Sequence, residues 1–427
     1  MSKYETYTYT KNQEFMARAG AVIPSGVYGH LGPAEGCMIP TSAFPFFATK
    51  AKGSEMWDAD GNRFIDYMCG YGPNVVGYAD DEVDAAAQKQ AALGNCTTLP
   101  STVMVDFAEL LTKTVKKDWS FFCKNGGDVT QFSIMIARAH TRKRKIIFVN
   151  GFYHGVAPWT QRLDSPGVLK GEVEQALYVD FNNIPQLKAT IEANKDDIAC
   201  FISTPYLHGN FRDNVLPEQG YWQEVRKLCT EYGIILIVDD IRAGFRLSVH
   251  GSDNHYGFEA DLITFCKAIA NGYNISALCG KDFLKATVSS IVFTGSYWMS
   301  AVPFAAGIAN INKMTKGGSD PEYATRFFRE KGLKLTDGMK AIAKNYGVGL
   351  SVSGEPAMFY IMITDDKSLL LHQEWIAECV KRGVFITNHH NHFMNLSITD
   401  ELIAETLDKC DDAMSVMVKN HPEVYKK

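Results

Sequence analysis

The sequence predicts an α/β protein with a large, mostly parallel sheet, followed by a smaller α+β domain. Two observations carry this. Between about Trp57 and Ile308, short β-branched apolar runs alternate with stretches of helical periodicity, as strand-helix-strand units do. After about residue 310 the pattern changes to a long charged helix, strand-like pieces and a closing helix. With 427 residues, 46% hydrophobic and 21% charged, the chain can bury one large core and a second, smaller one.

Taken in order, residues 1–56 are irregular and rich in Gly and Pro, and are expected to pack with the small domain or with a second subunit. Residues 57–310 form the expected large domain. Its buried strands read as KIIFV (Lys145 to Val149), ACFIS (Ala199 to Ser203), IILIVD (Ile234 to Asp239), DLITF (Asp261 to Phe265) and SALCG (Ser276 to Gly280). The intervening segment YWQEVRKLCTEYG sets Val225, Leu228, Cys229 and Tyr232 at helical spacing, with Gly233 as a stop. Residues 311–427 form the expected small domain: a helix from Asp320 to Tyr346, strands at Met358 to Ile363 and Val384 to Ile386, and a helix from Asp400.

A formal net charge of −5 offers no basic face for nucleic acid or an anionic membrane, so small molecules are the expected partners. No stretch approaches the roughly 18 apolar residues of a membrane span, and the polar, aromatic N-terminus has no leader-like core. A cytoplasmic location is expected. The ten cysteines are scattered singly without a CxxC, as reduced core thiols would be. His389, His390 and His392 cluster, but no thiol or carboxylate is near in sequence to complete a metal site, so none is expected.

Three constellations carry chemistry. The run from Phe122 to Thr130, with Gly126, Gly127 and Asp128 before a helical pattern, gives a strand, a turn and a helix start. Free backbone N–H groups and the helix dipole favour a phosphate there, although Gly-Gly before a helix also serves as a plain turn. Asp128 would repel a dianion unless it turns away to cap the helix. Asp239 and Asp240 end the most apolar strand, where ligand partners and helix caps are both found. Lys267 follows DLITF directly, where desolvation can lower its pKa and make it a nucleophile toward an aldehyde.

Together with Trp57-Asp58-Ala59-Asp60-Gly61-Asn62, Ile65-Asp66 and Phe152-Tyr153-His154-Gly155, the run from Asp239 to Arg246 and Lys267 resembles the class III aminotransferases. It is most similar to the branch that includes glutamate-1-semialdehyde aminomutase. The resemblance covers nearly the whole chain and implies the fold-type I architecture, pyridoxal 5′-phosphate (PLP) as cofactor, and a homodimer with shared active sites. Carried over by position, Gly126, Gly127 and Asp128 match the phosphate loop, and Tyr153, beside His154, matches the aromatic residue stacked on the ring. Asp239 matches the pyridinium partner, and Lys267 the Schiff-base lysine and proton carrier. Counting back from Ala305-Ala306-Gly307 places the hydroxyl lent to the other subunit's phosphate at Ser296, with Thr294 second.

The match has departures. The Ser-Gly-Thr-Glu loop of the family is Gly126-Gly127-Asp128-Val129 here, Thr204-Pro205 stands for Glu-Pro, and the stretch from Ser25 to His30 lacks the aminomutases' arginine. Transfer of an amino group between an amine or amino acid and a keto or aldehyde acceptor is the leading expectation, with an aminomutase or epimerase as the alternative. A nicotinamide dehydrogenase fails because the glycine loop lacks GxGxxG and would leave Asp239 and Lys267 without roles. Tyr28, His30, Tyr71, His208, Tyr297 and Trp298 are candidate substrate contacts that point to an uncharged or aromatic side chain, and core packing would explain them equally well.

Overall fold

The computed structural model describes residues 3–27 and 42–425. Its strands, in chain order, are β1 (Ala48–Lys52), β2 (Glu55–Asp58), β3 (Arg63–Asp66), β4 (Trp119–Cys123), β5 (Lys145–Val149), β6 (Ala176–Val179), β7 (Ile198–Ser203), β8 (Ile235–Asp239), β9 (Leu262–Phe265), β10 (Ser276–Gly280), β11 (Leu350–Glu355), β12 (Met358–Ile363), β13 (Val384–Phe385) and β14 (His392–Phe393). The five runs read as strands from the sequence all form strands. No helix among the described residues is long and apolar enough to cross a membrane.

The chain divides into two compact units. One comprises Asp81–His208 and Val215–Thr325 and is built on a seven-stranded sheet of order β4-β10-β9-β8-β7-β5-β6. From β9 through β6 the strands are parallel, whereas β10 runs antiparallel to both β4 and β9. The sequence does not reveal that reversal, because a strand buried on both faces gives the same apolar run in either direction. Two apolar layers cover the sheet. Phe132, Ile134 and Ile136 of helix Gly126–Thr141 pack with Ile202 and Ile237, and Trp222, Val225 and Leu228 of helix Tyr221–Glu231 pack with Phe201 and Leu236.

The other unit comprises Met1–Asp80, Gly209–Asn214 and Arg326–Lys427. It holds the sheets β1-β2-β3-β13 and β11-β12-β14, with helices Leu370–Lys381 and Asp400–Asn420. Its N-terminal part cannot be cut at residue 56, since 56/57 lies inside β2, which is hydrogen-bonded to β1 on one side and β3 on the other. Likewise the break expected at 310/311 falls inside the continuous helix Ala301–Met314. The division therefore lies after Asp80 and after Thr325.

Candidate active site

Because β4, β5, β7, β8 and β9 all point the same way, the segments after their carboxyl ends emerge at one edge of the sheet, where parallel sheets hold ligands. Asp239 is the last residue of β8 and lies in register with Thr264 of β9. It is buried, and its Oδ2 is 2.5 Å from His154 Nδ1. Oδ1 accepts the Ile241 N–H at 3.2 Å and the Thr264 hydroxyl at 3.4 Å. Asp240 points elsewhere and caps a short helix, accepting from the Ser252 N–H at 2.8 Å and hydroxyl at 2.5 Å. The two acidic residues thus part: Asp240 is taken up by Ser252, and Asp239 stays at the ligand edge on His154.

His154 is fixed from two directions. Its ring stacks on Phe152 at 4.1 Å, and its carbonyl accepts the Thr130 hydroxyl at 2.7 Å, which ties the loop to helix Gly126–Thr141. Its Nε2 is buried without a hydrogen-bond partner among the described residues. Next to it Tyr153 is 64% exposed, leaving its ring available to stack on a ligand. Gly155 follows at φ +99°, and a Cβ there would lie 2.7 Å from the Gly127 Cα. The two loops approach so closely that position 155 needs glycine, whereas a Cβ at Gly127 would meet Val156 N at 3.7 Å, an ordinary contact. Gly155→Ala should therefore cost about 2 to 3 kcal/mol, from the left-handed backbone and a backbone clash. A fall in the urea midpoint checks this, and an unchanged midpoint would contradict the packing.

At the start of helix Gly126–Thr141, Asp128 turns back so that its Oδ2 accepts the Asn125 N–H at 2.8 Å and the Lys124 N–H at 3.3 Å. This is the capping turn that removes its conflict with a bound phosphate, and the first-turn amides of Gly126 and Gly127 and the positive end of the dipole remain at the loop.

Lys267 opens a short 3₁₀ turn after β9 in the left-handed region, at φ +41°, a conformation rare for a side-chain-bearing residue and concentrated at functional sites. Asn310 steadies this turn by donating from Nδ2 to the Ala268 carbonyl at 2.8 Å. Burial, followed by the Arg242 guanidinium, pulls the Lys267 ammonium from its usual 10.5 down to about 8. An amine so placed is a nucleophile near neutral pH.

The remaining sequence candidates fall in several places. Thr294, Ser296 and Tyr297 are exposed, and Trp298 packs against Phe293 and Phe121. His208 follows β7 at the ligand edge. Tyr71 belongs to the other unit, where its ring meets His390 edge-on at 5.2 Å. There too the three clustered histidines are buried, with His392 Nε2 accepting the Thr387 N–H at 3.1 Å. Tyr28 and His30 lie outside the described residues. The run from Asp239 to Arg246 also carries two cations, Arg242 and Arg246, to which the family pattern gives no role. Arg242 lies three residues and Arg246 seven residues past Asp239, and both act on the Lys267 ammonium.

A buried carboxylate paired with an imidazole, a desolvated lysine, an exposed aromatic ring and a glycine-lined helix start fit PLP at every functional part of the molecule: aldehyde, ring nitrogen, ring face and phosphate. They define the site of a PLP-dependent enzyme. The comparisons with known proteins agree. Residues 39–414 match the family model described as aminotransferase class-III. The chain is 37% identical to an aminopentol aminotransferase of Sphingopyxis macrogoltabida, over 96% of this chain and 95% of that protein. It is 30% identical to a 3-aminobutyryl-CoA aminotransferase of Cloacimonas acidaminovorans, over 97% and 99%. Among solved structures, the PLP internal aldimine form of the FumI protein of Sphingopyxis sp. MTA144 superposes with a TM-score of 0.92 at 37% identity, covering 97% of this chain and 98% of that one. Relatives named glutamate-1-semialdehyde 2,1-aminomutase stand further off, one from Persephonella marina at 28% identity over 88% of this chain. The chain belongs to the class-III aminotransferase family: it is a fold-type I, PLP-dependent aminotransferase.

Proposed function

We propose that this enzyme carries an amino group from an amine substrate to a separate keto or aldehyde acceptor, with Lys267 as covalent anchor and proton carrier and Asp239 as partner of the ring nitrogen. The observation that carries the assignment is the buried His154–Asp239 pair on the strand beside the one that leads into Lys267. When bound, PLP supplies an electron-poor ring that stabilises negative charge on the substrate carbon. His154 holds the Asp239 carboxylate in place, and the carboxylate holds a proton on the ring nitrogen. Lys267 Nζ would hold the cofactor's aldehyde and, as a free amine, would be the base able to take the proton from the substrate carbon and return it elsewhere. Tyr153 would stack on the ring, while Gly126, Gly127 and the capped helix start would receive the phosphate.

Transfer is favoured over isomerisation by the relative of 37% identity, whose name describes an aminopentol aminotransferase, and by the 3-aminobutyryl-CoA aminotransferase, which at 30% identity covers 97% of this chain where an equally identical aminomutase of Methanococcus maripaludis covers 87%. A donor screen against a 2-oxo acid, read by product mass, tests this. An amine product derived from the acceptor supports transfer, and an isomer formed from one substrate alone would establish the mutase reading.

The same proposal includes a cytoplasmic homodimer in which Ser296 or Thr294 reaches the phosphate of the other subunit. It is supported by the exposed apolar segment around them, where Val292 is 93% and Tyr297 68% exposed in the single chain, a cost that a subunit interface removes. By linkage, PLP affinity should then rise with protein concentration. Sedimentation and PLP titration across a dilution series check it; a monomer that binds PLP at full affinity would rule out the shared site.

A further inference from the structure

Asn310 lies on helix Ala301–Met314 with no exposure to solvent, and its Nδ2 donates to the Ala268 carbonyl at 2.8 Å. Ala268 is the residue after Lys267, inside the 3₁₀ turn that the Ile269 N–H closes on the Cys266 carbonyl at 3.0 Å. The other half of the amide is unsatisfied. Asn310 Oδ1 is buried without a hydrogen-bond partner among the described residues. Leucine, an apolar side chain branched at the same atom, would leave no acceptor stranded there. An amide retained against that penalty is retained for the bond it donates.

The helix that carries Asn310 is firmly seated. Three residues earlier Gly307 lies against Phe107, where a Cβ would meet the ring at 2.5 Å, and the Phe304 ring packs on those of Phe107 and Phe122 at 5.8 and 5.0 Å. At the start of the helix, Asn95 accepts the Ala301 N–H at 2.8 Å through its carbonyl and the Val302 N–H at 3.0 Å through Oδ1. The donor therefore has a fixed place, whereas the turn it reaches is strained. Lys267 stands at φ +41°, a conformation that a side-chain-bearing residue keeps only where its surroundings hold it.

We propose that Asn310 is a positioning residue for amino transfer: by holding the Ala268 carbonyl it keeps the Lys267 turn in the left-handed conformation from which the lysine meets the cofactor's aldehyde. This rests on the assignment of Lys267 as covalent anchor. Asn310 acts through the turn and not on the reacting atoms. Without its bond the turn relaxes toward the common backbone regions, and Nζ leaves the place where burial draws its proton affinity down to about 8. A displaced anchor reacts more slowly, while the phosphate loop, at the start of helix Gly126–Thr141, keeps its grip.

The test follows PLP capture by the cofactor-free protein, read by stopped-flow absorbance across PLP concentration and pH. In Asn310→Leu and the smaller Asn310→Ala, the rate at saturating PLP should fall about ten- to a hundredfold, while the PLP concentration at half-saturation stays within about twofold of the parent's. The pH of half-maximal capture should move up from about 8 toward the ordinary lysine value. Asn310→Gln, which keeps an amide donor on a longer arm, should lie between the parent and Asn310→Ala. Urea midpoints of the same variants separate positioning from stability. Parent-like capture rates and pH midpoints in the folded variants overturn the proposal, whether or not the urea midpoint falls, because the amide would then serve the fold alone. Failure of all three variants to fold overturns it on the same ground. If borohydride fixes no cofactor to Lys267 in the parent, the anchor reading fails and takes this proposal with it; if it does and the variants match the parent, positioning alone fails.

Discussion

Lys267→Ala should yield a folded protein that has lost covalent hold of its cofactor and turns over at less than about 10⁻⁵ of the parent rate, because anchor and proton carrier vanish together. The fold should survive. The deletion removes a desolvated amine, so the buried turn is relieved of a group whose charging burial opposes. Borohydride treatment followed by peptide mapping reads the anchor directly: the parent should carry the reduced cofactor on Lys267 and the variant should carry none. Retained turnover above trace level would overturn the assignment of this lysine. The lowered proton affinity has its own signature. Capture of PLP by the cofactor-free protein requires the neutral amine, so its rate should rise with pH and reach half its maximum at about pH 8. An ordinary lysine, with a pKa near 10.4, is less than about 1% neutral at that pH.

Asp239→Asn should retain PLP through the phosphate loop but lower kcat on the order of 10² to 10³, the range seen when one preorganised electrostatic partner of developing charge is removed. The amide cannot hold a proton on the ring nitrogen. Shape is nearly conserved, and the side-chain oxygen can still accept from His154, so stability should change far less than rate. Parent-like turnover in this variant would show that the carboxylate has no role in the chemistry. His154→Ala separates positioning from contact, because losing the imidazole at 2.5 Å should lower the rate less than losing the carboxylate does.

Much of this arrangement was legible in the sequence because it lies in local patterns. Lys145 to Val149 and Ser276 to Gly280 coincide with β5 and β10, and the loop around Asp128 carries the cap that its isolated position demanded. What escaped was non-local. The reversed direction of β10 is set by its partners β4 and β9, and nothing in SALCG encodes it. The 56/57 boundary failed because the β1–β2 pairing is fixed by a turn at Gly53 and Ser54 that the apolar pattern does not mark. His208 was a substrate candidate only as one polar aromatic among several. Its distinction, two buried nitrogens with no hydrogen-bond partner among the described residues, depends on packing from segments distant in sequence.

The unit containing both small sheets is assembled from three separate stretches of chain. β3 pairs with β13, and Tyr67 bonds to Thr406 across 339 residues. On the ribosome, Arg63 to Tyr67 are synthesised long before the residues that complete their sheet and cover them. The segment carrying Asp239 and Lys267 has by then emerged in full, with all seven strands of its own sheet. The order of synthesis thus favours a large sheet that forms first, while β3, paired with β2 on one side, keeps its other edge open until β13 has been made. During that interval the free edge of β3 is the part of this sheet open to mispairing, and the part a chaperone would have to cover.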